Sequence, residues 1–282
     1  MYNILSIDVE DWYHFLIDKF DQWDNYENRV ERSTSRILAL LAERDVKATF
    51  FVLGYVAEKC PNLVKKIHKD GHEVATHGYS HQLLYKQSPK EFSEHLRKSI
   101  YILEKLIGQK VLSHRASSFT IMENTLWALD ILEEQGIMYD SSIFPVKNFF
   151  YGMHKAPRFP YKIKGKKIFE FPPSTIRLLG KNVPFSGGFY LRFFPYQFIK
   201  RSIKKINKIG KPAMIYIHPW EIDVEQPRLN LSFKWKFIRY HSLAHTEKKL
   251  RTLIQEFSFA PLHRVISSEV RSGNLLEYNL KY

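Results

Sequence analysis

Cysteine is almost missing from this chain: Cys60 is the one thiol among 282 residues. That excludes an internal disulfide framework and any zinc knuckle built from cysteines. Long apolar runs are missing too, and no stretch approaches the ~20 uninterrupted apolar residues of a membrane-spanning helix. Met1–Glu10 has neither a basic start nor a long apolar run and reads as a strand entering an acidic cluster. No signal peptide is expected there, so the expected compartment is cytoplasmic. Internal repeats and low-complexity linkers are not found. Acids are in deficit, 29 against 43 basic residues, which leaves a net charge of +14. Such a balance invites an anionic partner, whether nucleic acid, a phospholipid surface or an acidic glycan, without choosing among them.

What is present is ordinary globular material. The apolar share of 44% is enough to build a sizeable core. Length alone allows one or two domains; the reading preferred here is a single domain over residues 1–282, with a lid or extension over about 221–282. Short β-branched and aromatic runs alternate with stretches of helical period. Ile4–Asp8, Ala48–Val52, Glu73–Thr76, Val111–His114, Ile168–Phe171 and Ala213–His218 read as buried strands. Ser33–Arg44, Pro61–Lys69, Ser88–Ile107, Glu123–Gln135 and Pro195–Ile209 read as helices. Ser33, Ser88 and Thr120 are candidate N-caps, and Gly71, Gly108, Gly136 and Gly210 follow predicted helices as C-terminal stops. The lysines of 200–211 form the wet side of a helix whose apolar face is Phe198, Ile199, Ile203, Ile206 and Ile209. Residues 221–245 are aromatic and poorly patterned, and read as an insertion before a last helix, His245–Phe257. The alternation predicts an α/β fold with a mainly parallel sheet, either open or closed into a barrel.

Polar residues collect where the apolar strands end, which is where both architectures place their sites. In Asp8-Val9-Glu10 the two carboxylates share one side of an extended chain and repel unless a cation or a proton separates them. In His77-Gly78-Tyr79-Ser80-His81 two imidazoles four apart can converge on one metal ion. Together these give two histidines and one carboxylate, with Asp8 left over. Arg115 ends the next strand and would fix a nearby carboxylate in orientation and keep it ionised. Asp140 follows a short apolar step. His218 ends the most apolar late strand and could serve as a general acid.

In this order, Asp8-Val9-Glu10, His77-Gly78-Tyr79-Ser80-His81, Arg115-Ala116-Ser117-Ser118-Phe119, Tyr139-Asp140-Ser141-Ser142 and Ile217-His218-Pro219 resemble the polysaccharide deacetylases, carbohydrate esterase family 4. Phe185-Ser186-Gly187-Gly188-Phe189-Tyr190, Trp220-Glu221-Ile222-Asp223 and Gln226-Pro227-Arg228 resemble its exopolysaccharide-locus subgroup, often linked with exosortase systems, which carries a C-terminal extension. The resemblance implies a distorted (β/α) barrel of about seven strands and one divalent ion, Zn first, with Co, Fe or Mn as alternatives. It implies that His77 and His81 bind the metal, that Asp8 is the catalytic base and His218 the catalytic acid, that Arg115 orients the base and that Asp140 polarises the acid. Most members have two adjacent acids in the first motif; here Val9 takes the second place, which passes the third ligand to Glu10, with Asp11 as the fallback. Ser117 stands where a proline is usual.

The activity so implied is hydrolysis of the N-acetyl group from an amino sugar in a surface polysaccharide or its lipid-linked precursor. Backbone N–H groups near Ser117 and Ser118 would face the oxyanion. Ile215, Ile217 or Trp220 would form the pocket for the acetyl methyl, and Trp220, Trp235 and Tyr240 would stack on sugar rings. The expected partners are the glycan or lipid-linked sugar and, through the positive charge, an anionic inner-membrane surface. Nucleic acid is not expected, because no basic-aromatic stacking motif, zinc finger or helix-turn-helix signature is found. The alternatives are a deformylase or an amidase for a small cyclic amide using the same site, and a non-catalytic glycan-binding module.

Overall fold

The computed structural model describes residues 1–280 apart from 18, 149 and 274; residues 281 and 282 of the expected extension lie outside the described residues. The chain opens with strand β1 (Asn3–Val9), helix α1 (Val30–Ala42), β2 (Thr49–Val52), α2 (Gly54–Lys59), α3 (Pro61–Lys69), β3 (Glu73–Thr76) and α4 (Pro89–Ile107). It continues with β4 (Ser113–His114), α5 (Ala128–Glu134), β5 (Tyr139–Asp140), β6 (Tyr161–Ile163), β7 (Phe169–Glu170) and a β8–β9 hairpin (Thr175–Leu178 and Lys181–Pro184). Then come α6 (Gly188–Phe193), α7 (Tyr196–Lys208), β10 (Met214–Ile217), α8 (Phe233–Tyr240), α9 (Leu243–Glu256), β11 (Phe259–Ala260), α10 (Leu262–Arg271) and β12 (Leu276–Tyr278).

Among the described residues, ten strands form one sheet in the order β10-β1-β2-β3-β4-β5-β7-β6-β12, with β11 on the start of β1. Every pairing is parallel except β6 with β7. Both faces of β1 are buried, as a helix-covered parallel strand requires. Leu5, Ile7 and Val9 pack toward the helices, and Ile4 joins Phe51, Ala75, Phe171 and Met214 on the other side. The sheet curls. The Arg115 guanidinium, which follows β4, donates to Ser6 and Asp8 of β1 at 2.9 and 2.5 Å. Three strand spacings on a flat sheet would separate them by roughly 14 Å, farther than an arginine reaches. The fold is therefore an α/β half-barrel with a curled mixed sheet.

Local signals explain several elements. Ser88 and Glu91 form a reciprocal capping box at the start of α4, Pro89 occupies its first position and Gly108 ends it at φ 67°. Gly71, Gly136 and Gly210 also take positive φ after helices. In α7, Ile199, Ile203 and Ile206 are buried, whereas Ile209 is exposed because it lies past the last turn.

Other expectations are corrected. Ser33 does not start α1, which begins at Val30; the cap comes from far along the chain, where the Asp11 carboxylate accepts from the backbone N–H groups of Arg29 and Val30 at 2.6 and 2.9 Å. Thr120 is not a cap either: a 3₁₀ turn, Glu123–Thr125, precedes α5, and Thr125 Oγ1 accepts from Met122 N. The helix expected to be last is followed by β11, α10 and β12.

Candidate metal centre and active site

The strand register assembles the site. Val9, Val52, Thr76, His114 and Asp140 lie side by side across β1 to β5. Glu10, His77 and Arg115 each follow one of these residues, so they emerge from the same rim. The loop carrying the two histidines is pinned by α2, whose Gly54 and Tyr55 N–H groups donate to the Gly78 and Tyr79 carbonyls at 2.9 and 3.1 Å. Those donors sit at a helix start and have no partner within the helix. His81 adopts φ 51°, a left-handed conformation that few non-glycine residues take and that tends to mark functional sites.

Glu10, His77 and His81 meet. His77 Nε2 and His81 Nε2 lie 2.9 and 3.0 Å from the same oxygen, Glu10 Oε1, and all three side chains are buried. His77 Nδ1 lies 2.7 Å from the Arg115 carbonyl oxygen. A carbonyl can only accept, so Nδ1 donates to it and Nε2 is the ring atom that faces the Glu10 carboxylate. Two imidazole nitrogens and a carboxylate held together in a buried place can share either a proton or a metal cation. Burial pushes the Glu10 carboxyl up, but His81, His218 and the imidazole hydrogen bonds outweigh it and hold it well below the usual range. The donor set of two imidazoles and a carboxylate fits a divalent transition ion.

Beside it stands a second pair. Asp8 Oδ2 lies 3.8 Å from His218 Nε2, and Asp8 Oδ1 is held by Arg115. Arg115 is fully buried and packs over the Phe51 ring; its Nε donates to the Ser141 carbonyl, and its Nη2 to Ser141 Oγ and Met214 Sδ. Asp8, Glu10 and His218 also lie close enough to share an ion. The guanidinium already supplies the countercharge to Asp8, however, so the three-residue set with two imidazoles is the better cation site.

His218 Nδ1 is bonded at 3.0 Å to Glu221 Oε2, which also accepts from the His218 backbone N–H. Burial pushes His218 down, yet Glu10, Glu221 and Asp8 raise it above its ordinary value. Glu221 is itself fixed by Arg192 Nε at 2.7 Å, and its carboxyl is lowered to about 2, burial being outweighed by Arg192 and His218. The remaining Arg192 N–H groups donate to the Ile238, Arg239 and His241 carbonyls at the end of α8. Arg192 comes from α6, which can begin there because Gly187 lies flat against Tyr216: a Cβ on Gly187 would sit 2.2 Å from that ring.

Residues 19–137 match the family model "Polysaccharide deacetylase", and residues 141–267 match a domain of unknown function, DUF3473. Among relatives, the peptidoglycan-N-acetylglucosamine deacetylase of Bacillus cereus is 36% identical over 120 residues, covering 38% of this chain and 44% of that protein. The chain thus spans less than half of that relative's length. A Mycobacterium smegmatis structure assigned to the polysaccharide deacetylases shares the fold with a TM-score of 0.69 at 20% identity, covering 99% and 93% of the two chains. Puue allantoinase shares it with a TM-score of 0.63 at 16% identity, covering 97% and 90%.

The site opens into a cleft of about 1280 Å³. Asp8, Glu10, His77, His81, Ser118, His218 and Trp220 line it, with aromatic walls from Phe119, Tyr190 and Trp235. Several expectations do not survive the geometry. Asp11, the fallback ligand, is spent on capping α1 and on the Trp12 N–H, and burial pushes its carboxyl up to about 6. Asp140 does not polarise His218: it is bonded to His114 Nδ1 and Ser142 Oγ, both at 2.7 Å, in the layer that also holds Glu170. Glu221 takes that place. Ser117 lines a separate small cavity behind the His77–His81 loop. Ile215 and Ile217 are core residues, because strand alternation turns Tyr216, not its neighbours, toward the cleft. Trp220 does line the cleft, its indole packed on His218 and Arg239, whereas the Tyr240 hydroxyl is bonded to Leu229 N outside the cleft. Glu221 and Arg192 are the functional candidates that sequence reasoning passed over. The signal for Glu221 was local: an acid three residues after His218 with proline between them is the pattern of a capped turn.

Proposed function

We propose that this chain removes the N-acetyl group from an N-acetylated amino sugar, in a surface polysaccharide or its lipid-linked precursor, with Glu10, His77 and His81 holding a divalent ion. The observation that carries the reading is the juxtaposition of that buried donor set with the Asp8–His218 pair on one cleft wall. The family match and the relative named as an N-acetylglucosamine deacetylase support it. The exopolysaccharide subgroup rests on the residue motifs, with the second family match lying over the same C-terminal region.

An ion at this site supplies Lewis-acid polarisation of the amide carbonyl and lowers the pKa of water. The side chains do the rest. Asp8, its free oxygen facing the cleft and its other oxygen clamped by Arg115, accepts the proton of the attacking water. Ser118, which lines the cleft beside Asp8 and His77, would offer its backbone N–H to the developing oxyanion. His218, charged and turned by Glu221, donates its Nε2 proton to the departing amine, without which the C–N bond re-forms.

Acetate release from N-acetylchitooligosaccharides and from polyprenyl-linked N-acetylhexosamine is the direct test. Release that stops on chelation and returns with Zn is the expected result; formate release, or ring opening of a cyclic amide, would move the reading to those substrates. A second expectation concerns pH. His218 must be protonated to act, so turnover falls as pH rises through its raised pKa. Removing the Glu221 charge lowers that pKa, so in Glu221→Gln the alkaline limb of the profile should move to lower pH. Turnover above neutrality should drop by roughly tenfold or more, while the amount of bound metal stays unchanged.

A further inference from the structure

Helix α8 is dressed for a surface other than the protein's own. Residues 232–237, Ser-Phe-Lys-Trp-Lys-Phe, are all exposed, and Phe233 is 88% exposed, a degree rare for a phenylalanine with no partner. Trp235 turns into the cleft with Lys234 and Ile238, but Phe233, Lys236 and Phe237 are not part of its lining. Phe237 instead meets Phe189 and His241 in edge and tilted contacts, and Phe189 stacks on Phe193, itself 48% exposed. The result is an aromatic patch beside the mouth of the cleft. From Gln226 to Thr246 the chain contains no acidic residue, while Arg228, Lys234 and Lys236 are exposed.

We infer that this patch docks the protein on an anionic phospholipid bilayer, with Phe233 and Phe237 entering the interfacial layer and Lys236 and Arg228 meeting phosphate headgroups. A short helix with exposed phenylalanines among lysines has the composition of an interfacial element. A second copy of the chain is disfavoured as the occupant, since a two-fold contact would set this acid-free segment against itself. A glycan is served by Trp235 inside the cleft rather than by rings outside it. The docked orientation sets the cleft mouth at the membrane surface, where a lipid-anchored glycan would reach the site. That consequence rests on the deacetylase reading; the surface itself does not.

The test uses the full chain and sedimentation with sucrose-loaded vesicles of phosphatidylcholine alone or mixed with phosphatidylglycerol. Binding is expected to the anionic vesicles and not to the neutral ones, and to weaken as salt is raised. The Phe233→Ser/Phe237→Ser variant should lose at least tenfold in partitioning while releasing acetate from a soluble oligosaccharide at the wild-type rate, and Lys236→Glu should weaken binding further. Equal partitioning of variant and wild type overturns the inference. So does phenylalanine-dependent retention on soluble polysaccharide, or on an acidic protein, in place of vesicles. Vesicle binding is read without turnover, so an inactive but membrane-bound protein would sink the deacetylase reading and leave the surface standing.

Discussion

The His77→Ala/His81→Ala variant is expected to lose bound divalent ion and turnover together, to the level of the uncatalysed reaction. Two of three donors vanish, and Glu10 alone, however well ionised, is one monodentate carboxylate in a buried pocket. Metal content after gel filtration, and the heat of Zn binding to the chelated protein, measure the first loss; acetate release measures the second. The fold should persist, because the loop is also held by the Gly54 and Tyr55 N–H bonds, which involve the backbone of Gly78 and Tyr79 and not the imidazoles. A folded double variant that still binds one equivalent of Zn with wild-type affinity would place the ion elsewhere, with the Asp8–Glu10–His218 set as the next candidate.

Asp8→Asn should separate what the double histidine variant removes at once. The amide keeps the shape of the carboxyl and can still accept from Arg115, but it cannot take a proton from water. Turnover should fall by about 10²–10⁴, the usual contribution of a positioned general base. Bound metal should remain near one equivalent because Glu10, His77 and His81 are untouched. Loss of metal along with activity would make Asp8 a ligand instead. A cost in stability is also expected, since Arg115 is fully buried and its guanidinium would lose its charged partner. Thermal unfolding of the variant reads that cost, and activity per folded molecule corrects for it.

The strands and helices with strong periodicity were legible without coordinates. β3 and α3 have the residue bounds that the pattern predicts, and α4 begins with the Ser88 cap and ends at Gly108. What escaped were short or late elements. β5 and β11 are two residues each, too short to show a period, and exist because a neighbouring strand offers them hydrogen bonds. The start of α1 escaped for a related reason: its cap is Asp11, 18 residues before Arg29, and no local window contains that bond.

The sequence by itself determined the inventory of the site. Apolar strands followed at once by acid, histidine or arginine can belong only to a rim, and strand alternation placed Asp8 and Glu10 on one side. Which groups touch was decided by the curl of the sheet and the routing of α6 and α8. That geometry carried Arg115 onto Asp8, spent Asp11 on a helix end, gave Asp140 to His114 and left Glu221, fastened by Arg192, to turn His218. The division has a physical cause: side-chain type and period act within a few residues, whereas hydrogen-bond partners 26 to 107 residues apart, such as Asp140 with His114 and Arg115 with Asp8, are chosen by packing.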